Sequence, residues 1–193
     1  MKKKNIIKKI LIILLIIVII IVLATIGIGN YFVNYAILRT GNGGDREVKN
    51  TEVVEVASID NEIEKIIEKN RKQEKQHASE WSNTVKNEKV EVTAKDGITL
   101  KGTEYINDEQ TNNWVIVLHG YRSSPESVIS VGMHFSEKGY NVLIPYMRAT
   151  GESEGEYIGM GWLDKDDLKC WIDLIIKQNN NANIVLHGSS MGA

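Results

Sequence analysis

A long apolar segment near the N-terminus limits the possible folds of this chain more than any other feature. No charged residue occurs from Ile10 to Leu38, and residues 10–28 are almost entirely isoleucine, leucine and valine. About 20 apolar residues span a bilayer as a helix, because lipid offers the backbone no hydrogen-bonding partner. A cleaved signal peptide is the alternative, but Ala24-Thr25-Ile26 lacks the second small residue of a cleavage site. The sequence therefore predicts a transmembrane signal-anchor helix over residues 10–29.

The charges around this segment predict its orientation. Five lysines lie within residues 1–9, and lysine-rich flanks of a membrane helix stay in the cytoplasm. We therefore expect a single-pass protein of the cell membrane with a basic cytoplasmic segment at 1–9 and the remainder extracellular. Tyr31, Phe32 and Tyr35 would form the aromatic belt at the outer interface. The lipid bilayer is the predicted partner, whereas a net charge of −2 gives no field that would recruit nucleic acid.

Residues 30–87 are predicted to form a linker and a stalk. Gly41-Asn42-Gly43-Gly44 is typical of a flexible break. Ile63, Ile66 and Ile67 have the i, i+3, i+4 spacing of a helix with a narrow apolar stripe. We expect a spacer helix that packs on the following domain, and the alternative is a cap or partner-binding helix. His77 in this helix is expected to be exposed to solvent.

Residues 88–193 alternate between strand and helix patterns. Asp96-Gly97 lies between two alternating runs, which is a strong signal of a β-hairpin. Continuous apolar runs follow, as in strands buried on both faces of a mostly parallel sheet, and they predict strands at 114–118, 141–145 and 183–187. One helical pattern begins at Ser124-Pro125, and the next carries an apolar stripe that includes Trp171. This order predicts an α/β fold.

The single cysteine, Cys170, excludes an internal disulfide and a cysteine metal cluster. It lies beside the apolar stripe of its helix, where packing is a more common role than chemistry. The sequence contains no metal-binding or nucleotide-binding motif, so neither a metal site nor a cofactor is predicted.

Gly188-Ser189-Ser190-Met191-Gly192 matches the Gly-x-Ser-x-Gly pattern of a nucleophile elbow. The five-residue pattern alone is weak, but here it directly follows a predicted buried strand. That position calls for a sharp strand-to-helix turn that raises the central serine above the sheet. The flanking glycines, Gly188 and Gly192, leave room for such a turn. Ser190 is therefore the candidate catalytic nucleophile.

A serine nucleophile also needs amide donors for the tetrahedral oxyanion. One comes from the residue after the nucleophile, which is Met191, and the other comes from the loop after an earlier central strand. His119-Gly120-Tyr121 occupies that loop, so the Tyr121 amide is the second candidate donor. Such a pair is worth several kcal/mol in the transition state.

From about Glu88 onward, the chain resembles the α/β-hydrolase superfamily, in particular its monoacylglycerol-lipase-like and serine-aminopeptidase-like branch. The motif Gly159-Met160-Gly161-Trp162-Leu163-Asp164 is similar to one in a membrane-anchored bacterial subgroup. The resemblance rests on the order and spacing of four further segments, which are Asp96-Gly97-Ile98-Thr99-Leu100, Leu118-His119-Gly120, Arg148-Ala149-Thr150-Gly151-Glu152-Ser153-Glu154-Gly155 and Leu186-His187-Gly188-Ser189-Ser190-Met191-Gly192-Ala193.

The resemblance covers only the N-terminal half of the fold and implies an incomplete hydrolase domain at 88–193. Relatives usually carry Asp at the position of Tyr146 and His at that of Thr150, which puts the local packing in doubt. The triad acid and histidine of the family follow the serine, and only three residues follow Ser190 here. Without a base, Ser190 is a weak nucleophile.

Two functions remain open at this point. The first is a membrane-anchored serine hydrolase that acts on a small-molecule ester or a peptide, present as a truncated chain that is inactive as given. The second is a non-catalytic, membrane-tethered interaction module built on the same fold. None of the four histidines is a good substitute base, because His119 and His187 end buried strands, His134 lies within a helix and His77 lies in the stalk.

Overall fold

The computed structural model describes residues 2–39 and 59–193. Its first element, α1 (Lys2–Ile37), is one continuous helix that extends beyond both ends of the predicted span. Residues 7–35 are exposed along its whole circumference. Among the described residues, one helical segment, Ile7–Ile37, is long and apolar enough to cross a membrane. The Thr25 hydroxyl hydrogen-bonds the carbonyl oxygens of Ile21 and Val22, so the helix satisfies its own central polar side chain.

The predicted glycine-rich break at 41–44 lies outside the described residues. The next element, α2 (Ile59–Thr84), packs on the following domain through its C-terminal part. Ala78 is fully buried, and the Trp81 ring lies 4.8 Å from the Tyr105 ring. The predicted stripe of Ile63, Ile66 and Ile67 is about half exposed, so this stripe does not carry the packing. His77 is exposed, as expected.

A five-stranded mixed sheet forms the centre of the domain. It consists of β1 (Lys86–Thr93), β2 (Thr99–Ile106), β3 (Asn113–Leu118), β4 (Asn141–Pro145) and β5 (Asn183–Gly188), in the order β1-β2-β4-β3-β5. β1 and β2 form the predicted hairpin, and β2 is antiparallel to β4. β3 pairs parallel with both β4 and β5. The predicted parallel strands are therefore confirmed, and β3 is the central one.

Helices cover both faces of this sheet. The predicted start at Ser124-Pro125 is a short 3-10 turn, and α3 (Ile129–Ser136) follows it. On one face, α2 and α3 pack over the side chains of β3 and β4 that include Val115 and Val142. On the other face, α4 (Asp164–Gln178) places Trp171 and Ile175 in a core with Leu100, Ile116, Leu118 and Leu143. Both faces of the central strands are buried, as their continuous apolar sequences predict.

A buried ion cluster joins three segments on the α4 side. The Arg148 guanidinium donates to both carboxylate oxygens of Asp167 at 2.7 Å. It also donates to Asp96 in the β1–β2 turn at 2.9 Å. Arg148 and Asp167 are both 6% exposed. Hydrogen bonds from Arg148 lower the pKa of Asp96, and those to Asp167 and Asp96 raise the pKa of Arg148 above its usual range.

Candidate active site

Ser190 lies on a tight turn at the C-terminal end of β5, where the sequence predicts it. The residue is exposed and begins a 3-10 turn that runs from Ser190 to Gly192. Its φ is 55°, in the left-handed region that is strained for residues with a side chain. Such strain costs about 1–3 kcal/mol and persists only where the surrounding structure imposes it. The hydroxyl is thereby lifted off the end of the strand into solvent.

Two glycines make this turn possible, because the backbone leaves no space for a Cβ atom at either position. A Cβ on Gly188 would lie 2.0 Å from the carbonyl oxygen of Gly192. A Cβ on Gly192 would lie 2.7 Å from the carbonyl oxygen of Leu118 and 2.8 Å from that of His119. The turn therefore closes on itself and also packs against the end of β3.

The loop after β3 lies directly beside the serine. A Cβ on Gly120 would be 3.3 Å from the Ser190 Cβ and 3.9 Å from its hydroxyl oxygen. The local hydrogen bond here runs from the Ser123 N–H to the Gly120 carbonyl, so the Tyr121 N–H takes no part in it. The two hydrogen bonds of the serine turn use the N–H groups of Gly192 and Ala193, so the Met191 N–H is also outside them. Both candidate oxyanion donors thus belong to segments that flank Ser190.

His119 holds this loop in place rather than acting as a base. Its ring is fully buried, and its Nε2 accepts a hydrogen bond from the Met147 N–H at 3.1 Å. Nδ1 therefore carries the proton and donates to the Gly120 carbonyl at 3.0 Å. Burial lowers the pKa of His119, so the imidazole stays neutral. The hydroxyl of Thr150, where relatives usually carry His, lies 3.3 Å from Nε2, so Thr150 contacts the buried ring of His119.

No histidine in the described chain, His119 included, is hydrogen-bonded to Ser190. His187 lies edge-on to the Phe135 ring, 6.0 Å from it, and His77 is exposed. His134 lies between Glu137 and Glu74, which it contacts at 3.1 and 3.2 Å. These hydrogen bonds, first to Glu137 and then to Glu74, raise the pKa of His134. The described chain thus contains the turn and the flanking amides but no base for the serine.

The described residues contain no cluster of metal-ligating side chains. No group of three or more His, Cys, Asp or Glu side chains in the described parts of the chain could bind a metal ion. Cys170 is half-buried and its Sγ lies 3.5 Å from the Asp166 carbonyl oxygen. Burial raises the pKa of this thiol, which disfavours the reactive thiolate.

The C-terminal end of α1 contacts the loop that carries Tyr121, which the sequence did not indicate. The Tyr121 hydroxyl donates to the carbonyl oxygen of Ala36. The Arg122 guanidinium donates to the carbonyl oxygens of Tyr35, at 2.9 Å, and of Leu38, at 3.3 Å. A cation at the last carbonyls of a helix complements its dipole. No periodicity or motif connects segments more than 80 residues apart, so only the structure could show this contact.

The same end of α1 is also tied to the segment after β4. Leu38 forms a backbone bridge with Tyr157, and the Ile158 N–H donates to the Ile37 carbonyl at 2.8 Å. The Arg39 guanidinium donates to the carbonyl oxygens of Gly151 and Ser153, each at 2.6 Å. α1 thus ends on two loops of the domain rather than at a distance from it.

The Gly159–Asp164 motif forms a turn held by one buried carboxylate. Asp164 Oδ2 accepts a hydrogen bond from the Gly161 N–H at 2.7 Å. A Cβ on Gly159 would lie 2.4 Å from the same carboxylate, so a larger residue at that position would displace the Asp164 side chain. Burial raises the pKa of Asp164. The turn projects two large side chains into solvent, Met160 at 56% and Trp162 at 75% exposure.

Comparison with known proteins gives similar sequences and structures but no matching protein-family profile. The uncharacterized protein YqkD of Bacillus subtilis (strain 168) is 32% identical over 98 residues, which are 50% of this chain and 32% of YqkD. The Pyrococcus furiosus esterase Pf2001 is 31% identical with a TM-score of 0.52, and the match covers 59% of this chain and 45% of the esterase. A second crystal form of that esterase gives a TM-score of 0.51.

The chain therefore spans about a third of the length of YqkD and less than half of the length of the esterase. The sheet order, the serine turn after β5 and these structural neighbours agree with one another. The domain that follows α2 has part of an α/β-hydrolase fold, preceded by one long apolar helix.

Proposed function

We propose that this chain is the anchored N-terminal part of a membrane-tethered serine hydrolase that cleaves ester or amide bonds. The observation that carries the proposal is the strained conformation of Ser190, at φ 55°, between two glycines that leave no room for a side chain. Strain of this kind is concentrated at functional sites. The similarity to an esterase over the same part of the fold agrees with this assignment.

In the proposed reaction, the Ser190 hydroxyl attacks the substrate carbonyl carbon and loses its proton to a histidine. The tetrahedral oxyanion accepts hydrogen bonds from the N–H groups of Tyr121 and Met191. The histidine then protonates the leaving alcohol or amine as its bond to carbon breaks, and an acyl-enzyme remains. Water hydrolyses the acyl-enzyme by the same steps and restores the serine. We assign the histidine and its carboxylate to sequence downstream of Ala193.

The exposed edge of β5 agrees with that assignment. Within the described sheet, β5 pairs with β3 on one side only, and Val185 and Leu186 are 37% and 50% exposed. An apolar strand edge of this kind is a template for pairing with another strand. In our proposal, downstream sequence supplies that strand and covers these side chains. The sequence motifs favour the monoacylglycerol-lipase-like and serine-aminopeptidase-like branch.

We further propose that α1 is an uncleaved anchor with its lysine-rich end in the cytoplasm and the hydrolase domain outside the cell. The exposure of residues 7–35, nearly all apolar, supports this assignment, because an apolar helix that no protein surface covers requires an apolar solvent. The substrate of the hydrolase domain would then be a small-molecule ester or a peptide outside the cytoplasm.

A fluorophosphonate probe tests the catalytic proposal, because it labels only an activated serine. The chain extended by the downstream sequence of its own gene should be labelled. Ser190→Ala should abolish the labelling, and the matched control Ser189→Ala should retain it. The 193-residue chain alone should not be labelled, since none of its described residues is a base hydrogen-bonded to Ser190.

Two results would contradict this reading. Efficient labelling of the 193-residue chain that disappears with Ser190→Ala would show that a base lies within it. An extended chain that folds but is not labelled would favour the non-catalytic interaction module.

A further inference from the structure

We propose that the Tyr157–Leu163 turn is a second, peripheral membrane contact, which rests on the outer lipid headgroups beside the end of α1. We call these seven residues the interfacial turn. The inference rests on the proposed insertion of α1 into a bilayer, but it does not depend on the catalytic role of Ser190. The occupant to which it commits is a lipid surface.

The position of the interfacial turn relative to α1 is fixed by backbone contacts. Its first residue, Tyr157, forms the bridge with Leu38, and Ile158 donates to the carbonyl of Ile37, the last residue of the helix. Arg39 binds the two carbonyls at Gly151 and Ser153 on the approach to the turn. The interfacial turn therefore begins directly against the end of α1, and its exposed residues follow within six positions of that contact.

The length of α1 places its C-terminal end at the lipid headgroups. The candidate membrane span of the helix, Ile7–Ile37, has 31 residues, and at 1.5 Å per residue it is about 46 Å long. A bilayer is about 40–45 Å thick including its headgroup regions. A helix of this length reaches from one headgroup region to the other, so its C-terminal end emerges at the outer headgroups.

The exposed side chains of the interfacial turn suit that environment. Met160 and Trp162 are 56% and 75% exposed, and Tyr157 and Leu163 are 43% and 39% exposed. Trp and Tyr are enriched at membrane interfaces, where their rings have an apolar body and a polar edge. The ammonium of Lys165 lies 3.3 Å from the centroid of the Trp162 ring, which provides a cation for lipid phosphate at the same point.

The turn is also held in shape before any lipid is present. The buried Asp164 carboxylate binds the Gly161 N–H, and the Trp162 N–H donates to the Gly159 carbonyl at 3.0 Å. A fixed turn thus displays four large side chains, of which Met160 and Trp162 are more than half exposed. A preformed apolar surface of this kind binds with little ordering cost.

Spin-label accessibility in lipid nanodiscs of phosphatidylcholine and phosphatidylglycerol tests the proposal on the full chain. The background variant is Cys170→Ser, and a label is placed at Met160→Cys. Asn180→Cys, in the exposed turn before β5 at the opposite end of the parallel strands, is the aqueous control. Ile20→Cys, in the middle of α1, is the control for insertion.

The expected result is a ratio of oxygen to nickel-chelate accessibility that is highest at position 20, intermediate at 160 and lowest at 180. Adding Trp162→Ala should move the value at 160 toward that at 180. Equal values at 160 and 180, with position 20 inside the lipid, would overturn the interfacial turn and leave the anchor intact. An aqueous value at position 20 would overturn the anchor and the turn together.

Discussion

Arg148→Met should be among the most destabilising single changes outside the site itself. The substitution leaves the Asp167 carboxylate buried, at 6% exposure, without the two 2.7 Å hydrogen bonds that now compensate its charge. Removing one partner of a buried ion pair costs about 3–5 kcal/mol. Because a domain of this size is stable by about 5–15 kcal/mol, we expect a loss of about a fifth or more of the total.

Two companion variants separate the buried pair from the rest of the cluster. Asp96→Asn removes the weaker contact, and because the Asp96 side chain is 49% exposed, its cost should be about 1 kcal/mol or less. The double variant Arg148→Met/Asp167→Leu removes both buried charges, so most of the stability should return. The losses of stability measured for Arg148→Met alone and for Asp167→Leu alone should therefore be strongly non-additive.

Urea unfolding of the chain in detergent micelles provides the assay. Two of the four tryptophans, Trp114 and Trp171, are 4% and 2% exposed and lie in the core on the same face of the sheet, so tryptophan fluorescence should report the unfolding of this region. The reasoning would be refuted if Arg148→Met cost less than about 1 kcal/mol, or if the double variant lost the sum of the two single losses.

Gly188→Ala should unfold the serine turn and expose residues 183–193 to protease, because its methyl group would lie 2.0 Å from a backbone oxygen; Gly29→Ala, which meets nothing within 4 Å, should be silent. The raised pKa of His134 means that its contribution to α2 packing is complete below about pH 6.5 and is lost as pH rises through the folded-state pKa. The protection factors of the α2 amides, which correct for the intrinsic rise of exchange with pH, should therefore be higher at pH 6 than at pH 8; His134→Gln should remove this difference in protection and His77→Gln should not. In intact cells, external protease should digest the chain beyond α1 and spare its lysine-rich end, and full protection of the domain would contradict the proposed orientation.

Local sequence patterns were sufficient to predict the strands, the hairpin and the serine turn. The apolar runs at 114–118 and 141–145 are buried strands, because only a sheet covered on both faces accepts such runs. The run at 183–187 is also a strand, but Val185 and Leu186 are 37% and 50% exposed, so its predicted burial is not observed. The Asp96-Gly97 hairpin follows from local turn chemistry. The serine turn was predictable for a similar reason, since a glycine pattern and a preceding strand together leave few conformations for Ser190.

Features that depend on contacts between distant segments were not predictable. The isoleucine spacing in α2 predicted a helix with a narrow apolar stripe that packs on the domain, but the helix packs through Ala78 and Trp81, because the small alanine allows close approach to the domain. The mixed sheet order and the Arg148 cluster likewise depend on which strands become neighbours. The contact of α1 with Tyr121 has no signal in a single sequence at all.

Because α1 docks on the loops beside Ser190, the length of the helix sets the position of the serine. If a flexible linker joined the helix to the domain, neither the distance of the serine from the helix nor the direction in which it faces would be fixed. Here the hydrogen bonds from Tyr121 and Arg122 attach the end of α1 to the loop at Gly120, which lies beside Ser190. Each residue added within α1 would therefore raise the serine by about 1.5 Å and turn it by about 100° around the helix axis. The residue count of this one helix thus sets both the height of the serine above the far end of α1 and the direction in which it faces.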